Sequence, residues 1–277
     1  MKNLIFEAVK EDLGKGDITT KLLVPKDLRA EAEIISKESG IISGLLVAKE
    51  VFSCIDKRVR FVPSKKDGAA VKKGDVVARI KGPARAVLSG ERLALNFMQR
   101  LSGIAGAAKK YSDLVKGTKA KVLDTRKTTP LWRLLEKKAV RSGGCYNHRF
   151  GLFDAVLIKD NHLCVEPDIE RAVKAAKKGG PIEIEVKNAK ELDKAVIAGA
   201  DRILLDNMNV KELKISVARA RSLAKKLRRK ITLEASGNVT LKNIRAVAKT
   251  GVDFISVGAL THSPKALDLS LRIVKCR

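Results

Sequence analysis

The sequence predicts an α/β protein in which a β-rich N-terminal region precedes a parallel sheet or barrel of alternating strands and helices. Three observations carry this. The chain has 277 residues, 45% of them hydrophobic, enough for a barrel plus a smaller domain. From Lys121 onward, short apolar runs (KVL, AVLI, IEIEV, RILLD, ITLEAS, DFISV) alternate with amphipathic stretches, the mark of parallel strands joined by helices. Each run ends in a polar residue or a glycine: Arg126, Lys159, Glu185, Asp206, Ser236 and Gly258. A strand interior needs no charge at its end, but an active site on the C-terminal rim of a barrel does.

Taken in order, residues 1–23 read as a short helix and a capped turn, with Asp17 and Thr19-Thr20 closing EDLGKGDITT. Residues 30–86 are β-like text, punctuated by Asp67-Gly68 and Lys73-Gly74-Asp75. This stretch resembles the hammerhead and barrel-sandwich modules of biotinyl-type domains. No modifiable lysine sits in a biotinylation or lipoylation motif, so a small structural domain is expected. A helix over 91–116 carries Leu93, Phe97, Leu101 and Ile104 at helical spacing, and its Arg92 is unexplained by packing. Thr129-Pro130 opens a further helix, which stops at Gly143-Gly144. Later helices are expected over 169–178, 189–198, 211–227 and 241–249, with Gly179-Gly180, Gly199 and Gly251 as C-terminal caps. Six strands are clear and a seventh is arguable, which leaves the barrel incomplete. No GxGxxG follows a strand and there is no Walker loop, against a Rossmann or P-loop reading.

Lys and Arg number 57 against 31 Asp and Glu, a formal charge of +26. Such a balance attracts nucleic acid, anionic membranes or acidic small molecules. The basic residues are spread along the whole chain, however, and a solvated surface is the plainer reading of each. The four cysteines show no CxxC spacing, so reduced thiols are expected rather than zinc or disulfides. The N-terminus has no signal-peptide core and no apolar run approaches a membrane span, so a soluble cytoplasmic protein is expected.

The chemistry concentrates between Asp124 and His162. Arg126, Lys127, His148, Arg149 and Lys159 form a cationic set, read as lying on adjacent strand ends, where they would repel one another without an anionic ligand. Glu185 and Asp206 end consecutive strands and suit ribose hydroxyls, a water-bridged Mg2+ or a developing positive charge. Ser236-Gly237-Asn238 and Gly258-Ala259-Leu260, with His262 just beyond, suit a phosphate bound by backbone N–H groups. His148 and His162 lack a third partner at a spacing that would make a metal site.

At these residues the chain resembles the type II phosphoribosyltransferases, specifically the quinolinate phosphoribosyltransferase family. EDLGKGDITT, ERLALNFMQRLSGIAG, DTRKTTP, GGCYNHR, LIKDNH, IEIEV, LLDNM, EASGNV and VGALTHS carry the likeness over nearly the full length. The resemblance implies an N-terminal open α/β sandwich over 1–102 and an incomplete seven-stranded TIM-like α/β barrel over 103–264, with the tail 265–277 returning to the sandwich. It implies that quinolinate and phosphoribosyl pyrophosphate give nicotinate mononucleotide, pyrophosphate and CO2 in NAD biosynthesis, with Mg2+. Under it Arg126, His148, Arg149 and Lys159, beside Thr125, bind the quinolinate carboxylates, and Lys127 and Lys159 also lie near the pyrophosphate. Glu185 and Asp206 address the ribose and, through water, the metal; Lys127, Lys159, Glu185 and Asp206 are the expected catalytic set. Ser236, Gly237, Asn238, Ser256, Gly258 and His262 surround the 5′-phosphate. Arg92 comes from the neighbouring subunit of a homodimer, which could assemble further into a hexamer. The chain departs from the family pattern at Leu131-Trp132, where Gly-Leu is common, at Gly106, where threonine is common, and at Asn238, where a second glycine is common. Two other readings remain at this stage: a molybdenum-transport-associated paralogue of the same fold, and a basic nucleic-acid-binding protein.

Overall fold

A computed structural model describes all 277 residues. It divides into two compact units: Met1–Lys109 with Thr128–Gly144 and Leu260–Arg277, and Lys110–Lys127 with Cys145–Ala259.

The first unit contains helices α1 (Lys2–Leu13) and α2 (Ile18–Leu23), strands β1 (Arg29–Ser36) and β2 (Gly40–Ile41), helix α3 (Leu45–Ile55), strands β3 (Arg60–Pro63), β4 (Ala70–Val71) and β5 (Val76–Pro83), and helix α4, which begins at Ala84 and runs to Leu114. Asp17 caps a second helix rather than a turn: its carboxylate accepts from the Thr20 N–H at 2.9 Å and from the Thr20 hydroxyl. Within the stretch read as β text, LLVAKEVFSCI forms α3, entered from Gly44 at φ 93°. Its buried Leu45, Val47, Ala48, Val51 and Phe52 follow helical spacing.

β1 alternates as a half-buried strand should, with Ala30, Ala32, Ile34 and Ser36 inward. On its outer face Glu31 meets Lys81 at 3.0 Å and Glu33 meets Arg79 at 3.2 Å across the antiparallel pair with β5. The four-stranded sheet runs β12-β1-β5-β3, where β12 (Leu269–Cys276) is the C-terminal tail, antiparallel to β1. Phe52 of α3 packs so closely on α4 that a Cβ on Gly90 would sit 2.7 Å from its ring, which is why a glycine stands there.

Helix α5 (Arg133–Ser142) belongs to this first unit, although the sequence placed its residues in the 103–264 barrel. The reason is its partners: buried Glu136 meets Arg100 at 3.2 Å, and Trp132 stacks on Phe97 at 4.5 Å. It also starts three residues later than Pro130, because Leu131 adopts a left-handed φ of 66° and Thr129 turns its hydroxyl to Glu136 at 2.9 Å.

The second unit holds β6 (Lys121–Leu123), β7 (Val156–Ile158), helices α6 (Asp160–Val165) and α7 (Ile169–Ala176), then β8 (Ile182–Val186), α8 (Ala189–Ala198), β9 (Arg202–Asp206), α9 (Val210–Lys226), β10 (Thr232–Ser236), α10 (Ile244–Ala248) and β11 (Phe254–Ser256). A short helix α11 (Ala259–His262) follows. The six strands are parallel in the order β6-β11-β10-β9-β8-β7. The arguable seventh position is a single parallel bridge from Tyr146 to Leu123 on the free edge of β6, made by Tyr146 N–H to Val122 at 2.8 Å and Asp124 N–H to Tyr146 at 3.0 Å. β8 is buried along its whole length although it carries two glutamates, which a purely structural parallel strand would not.

Candidate active site

The residues expected at the rim follow the C-terminal ends of the six strands, but Arg126 and Lys159 do not come from adjacent ones. Arg126 follows β6 and Lys159 follows β7, which form the two edges of the sheet. The loop Asn147-His148-Arg149 comes after the bridge on the β6 edge. Arg126 and Arg149 are close enough to act on each other: burial and then the Arg126 charge hold the Arg149 guanidinium below its ordinary pKa. A carboxylate between them would relieve that repulsion.

Lys159 is half-exposed and its Nζ lies 2.9 Å from Oε2 of buried Glu185. Asp206 ends the neighbouring strand on the same face as Leu204, which stands opposite Glu185. Asp206 accepts from the Asn207 amide at 2.7 Å and stands opposite Ser236 in register. Lys187, at the end of β8, is held above its ordinary pKa first by Asp160 and also by Glu185 and Asp206. These carboxylates therefore sit in a field of lysines. Both are oxygen donors on neighbouring strand ends, the donor type a hard divalent cation takes.

The turn after β10 is built for close backbone approach. Gly237 has φ 88°, and a Cβ there would meet Asn207 Oδ1 at 2.1 Å. Asn238 follows at φ 54°, where the family's glycine would be at ease and asparagine is the next most tolerant residue. Its side-chain amide donates to Asn207 Oδ1 at 3.1 Å. Lys127 is exposed, and its N–H donates to the Thr125 hydroxyl at 3.0 Å.

Two expected ligands have partners inside the sheet. The His148 ring turns into the sheet interior, with Nε2 3.2 Å from Glu183 Oε2 and 3.5 Å from Glu234 Oε1. Two buried carboxylates there attract it more strongly than the open rim. Burial alone would lower its pKa, but these carboxylates outweigh burial and push it up to about 9. The Arg149 N–H, 2.8 Å from Nδ1, needs a lone pair there and opposes a second ring proton. Ser256 is buried, and its hydroxyl donates to Glu234, which leaves the backbone around Gly258 as the polar group after β11 that an anion would meet. His262 and Arg92 lie in the first unit, both exposed. The Arg92 side chain makes no hydrogen bond or ion pair within the chain. His162 accepts the Lys159 N–H at 2.9 Å and so caps α6.

The rim pattern alone left Asp124, Glu183, Arg202 and Glu234 unread. Their signal was period two: Glu183 shares a face with Glu185, Arg202 with Asp206, and Glu234 with Ser236. Asp124 is wholly buried and accepts from the His148 N–H at 2.8 Å and the Asn147 amide at 2.6 Å.

Comparison with known proteins identifies the family. The family model for the quinolinate phosphoribosyl transferase N-terminal domain matches residues 17–102, and that for its C-terminal domain matches 104–272. A Bacillus subtilis protein named probable nicotinate-nucleotide pyrophosphorylase [carboxylating] is 43% identical, covering 99% of this chain and 93% of its own length. The solved nicotinate-nucleotide pyrophosphorylase of Francisella tularensis is 43% identical and superposes with a TM-score of 0.89, covering 98% of this chain and 95% of that one. A Streptococcus pyogenes structure, named NadC, superposes at 0.91 with 36% identity over 99% of this chain and 96% of its own. With both family domains matched in order along nearly the whole chain, the protein belongs to the quinolinate phosphoribosyltransferase family.

Proposed function

We propose that this chain transfers the phosphoribosyl group of phosphoribosyl pyrophosphate to quinolinate, releasing pyrophosphate and CO2 and forming nicotinate mononucleotide for NAD biosynthesis. The observation that carries this is the set of groups on the strand ends: Arg126 acting on Arg149 after β6, and Lys159 paired with Glu185 next to the strand that ends in Asp206, in a chain whose relatives bear that activity in their names.

Quinolinate has two adjacent carboxylates, and the paired guanidiniums of Arg126 and Arg149 are of the type that grips them in a planar, two-point fashion. Lys159 supplies a point charge already held by Glu185, which a substrate anion would share. Thr125 braces the turn that presents Lys127 towards the pyrophosphate. Glu185 and Asp206 would accept from the ribose hydroxyls and stabilise positive charge as the anomeric bond breaks. Ser236, Gly237, Asn238 and the backbone at Gly258 would cradle the 5′-phosphate. The ring nitrogen that attacks carries no proton, so no general base is needed. Once alkylated, the ring is cationic and stabilises the electron pair of the adjacent carbon–carboxylate bond as CO2 departs, and the ring carbon left behind takes up a proton from water to give the product.

Glu185 and Asp206 would hold Mg2+ through water, and the ion would neutralise the leaving pyrophosphate. Arg92, exposed and without a partner of its own, would complete the site of a second copy in a homodimer. No helix is long and apolar enough to cross a membrane.

The test is turnover with identified products. Quinolinate, phosphoribosyl pyrophosphate and Mg2+ should give CO2 and nicotinate mononucleotide in equal amounts. Turnover with another base and none with quinolinate would instead indicate the paralogue. Arg126→Ala should lower kcat/KM by about 10²–10³, the scale of one lost charge-stabilising donor.

A further inference from the structure

Beneath the rim lies a second layer of charge for which the transfer reaction has no use. Arg202 Nη1 is 3.3 Å from Glu234 Oε2 and 3.9 Å from Glu183 Oε2. Its guanidinium also lies over the Phe254 ring, 4.1 Å from the centroid. Glu234 is fully buried, and its other oxygen accepts from Ser256 and faces His148. Glu183 is nearly as buried and faces the same imidazole. Glu183, Glu234 and His148 place their donor atoms within 4.8 Å of one another, but Arg202 already supplies the cation between the carboxylates.

Stability does not explain this layer. Desolvating each ion costs several kcal/mol, and apolar residues of similar size commonly serve a core as well or better. What the layer supplies is direction. Glu183 and Glu234 hold the ring of His148 from inside the sheet, while Asp124 holds its N–H and the neighbouring Asn147 from the end of β6. The next amide belongs to Arg149 and donates to His148 Nδ1 at 2.8 Å. The ring's orientation therefore sets the backbone from which the Arg149 side chain departs.

We propose that Glu183, Arg202 and Glu234 are positioning residues for the dicarboxylate substrate: they fix the His148 ring, and through its Nδ1 they aim Arg149. This rests on Arg149 being a carboxylate ligand. The cluster's charge bears on His148; towards the phosphate side it meets Ser256, whose hydroxyl needs only an acceptor oxygen. Loss of that charge should therefore affect one substrate and spare the other.

Glu234→Gln keeps the shape and leaves an oxygen for the Ser256 hydroxyl, but removes the charge. It should raise the KM for quinolinate about tenfold or more and leave the KM for phosphoribosyl pyrophosphate within about twofold, since a small misplacement of a binding group is costly. The double variant Arg202→Met/Glu234→Leu removes both charges at similar volume. Its melting temperature should return to near the wild-type value while the quinolinate KM stays raised, a separation that a purely structural role would not give. Wild-type quinolinate KM in either variant, or an equal rise in both KM values, overturns the proposal. Arg149→Ala keeps the two ideas apart. If it leaves the quinolinate KM unchanged, the ligand assignment fails and the proposal with it. If it raises that KM while Glu234→Gln does not, the ligand assignment stands and the positioning role is wrong.

Discussion

At the scale of single residues, two departures from the family pattern fall on the same kind of backbone and have opposite consequences. Asn238 and Leu131 both adopt left-handed φ, 54° and 66°. Asparagine tolerates that region, whereas leucine brings its Cβ against the backbone, at a cost of about 1–2 kcal/mol. Leu131 is also 85% exposed, so packing returns nothing for the strain. Leu131→Gly should stabilise the protein by about 0.5–1 kcal/mol, the strain relieved less the greater freedom of glycine in the unfolded chain. Chemical denaturation would show this as a higher midpoint at unchanged slope, and a lower midpoint would mean that Leu131 is held by something worth more than its strain. Gly237 is the reverse case. A methyl group there meets Asn207 Oδ1 at 2.1 Å and its backbone N at 3.0 Å, so the turn must move. Gly237→Ala should raise the KM for phosphoribosyl pyrophosphate and leave that for quinolinate nearly unchanged. A larger effect on quinolinate would place the phosphate elsewhere.

At the scale of elements, Asp253 ties the start of β11 to its neighbours. It accepts from the Leu233 N–H at 2.8 Å, from Lys119 at 2.9 Å and from Arg221. Burial alone would raise its pKa, but the Leu233 amide, Lys119 and Arg221 together hold it below the usual carboxylate range. A carboxylate depressed in the folded state contributes stability that is complete above its unfolded pKa of about 3.9 and fades as pH falls through the lower folded value. Asp253→Asn should therefore cost about 2 kcal/mol at neutral pH, and the gap from wild type should close in acid below about pH 4. A gap that persisted at low pH would show that shape, rather than charge, holds this corner. Gly106 lies inside α4 with open space where a Cβ would go, so Gly106→Ala should stabilise by about 1 kcal/mol. All six parallel strands and helices α7, α8 and α9 were legible in the sequence, because period is local; of the glycines expected as caps only Gly199 closes its helix, the C-caps of α7 and α10 being Lys177 and Lys249, and α6 was not read. Helix α3 was hidden inside β-like text, and the packing of α5 on α4 was not legible, because its partners Arg100 and Phe97 lie more than thirty residues upstream. The rim residues could be read from strand ends. The layer of Glu183, Arg202 and Glu234 shows in the period only as a shared face; its meeting with His148 does not, since nothing local says which carboxylates in buried strands meet a histidine from a distant loop.

For the molecule as a whole, the feature left over is Arg92. An exposed arginine on a helix, without an ion pair or hydrogen bond of its own, is unexplained by the fold of one chain. If a second copy brings it to the rim, it adds a cation to a site that already holds Arg126, Arg149 and Lys159. That addition is favourable only when a dianionic substrate lies between them. The prediction is complementation. Arg92→Ala and Lys159→Ala chains should each form nearly inactive dimers. Mixed after subunit exchange, a heterodimer has one site with both lesions and one site with neither. With random exchange half of the dimers are mixed, so about a quarter of wild-type activity per site should return. Exchange must be followed independently, for instance with two affinity tags recovered in one complex. Activity that stays at the level of the parents while tagged chains demonstrably exchange would mean that each chain uses its own Arg92, or none. Recovery near one quarter would make the dimer the smallest catalytic unit, and the rim pattern in the sequence would then describe only part of each active site.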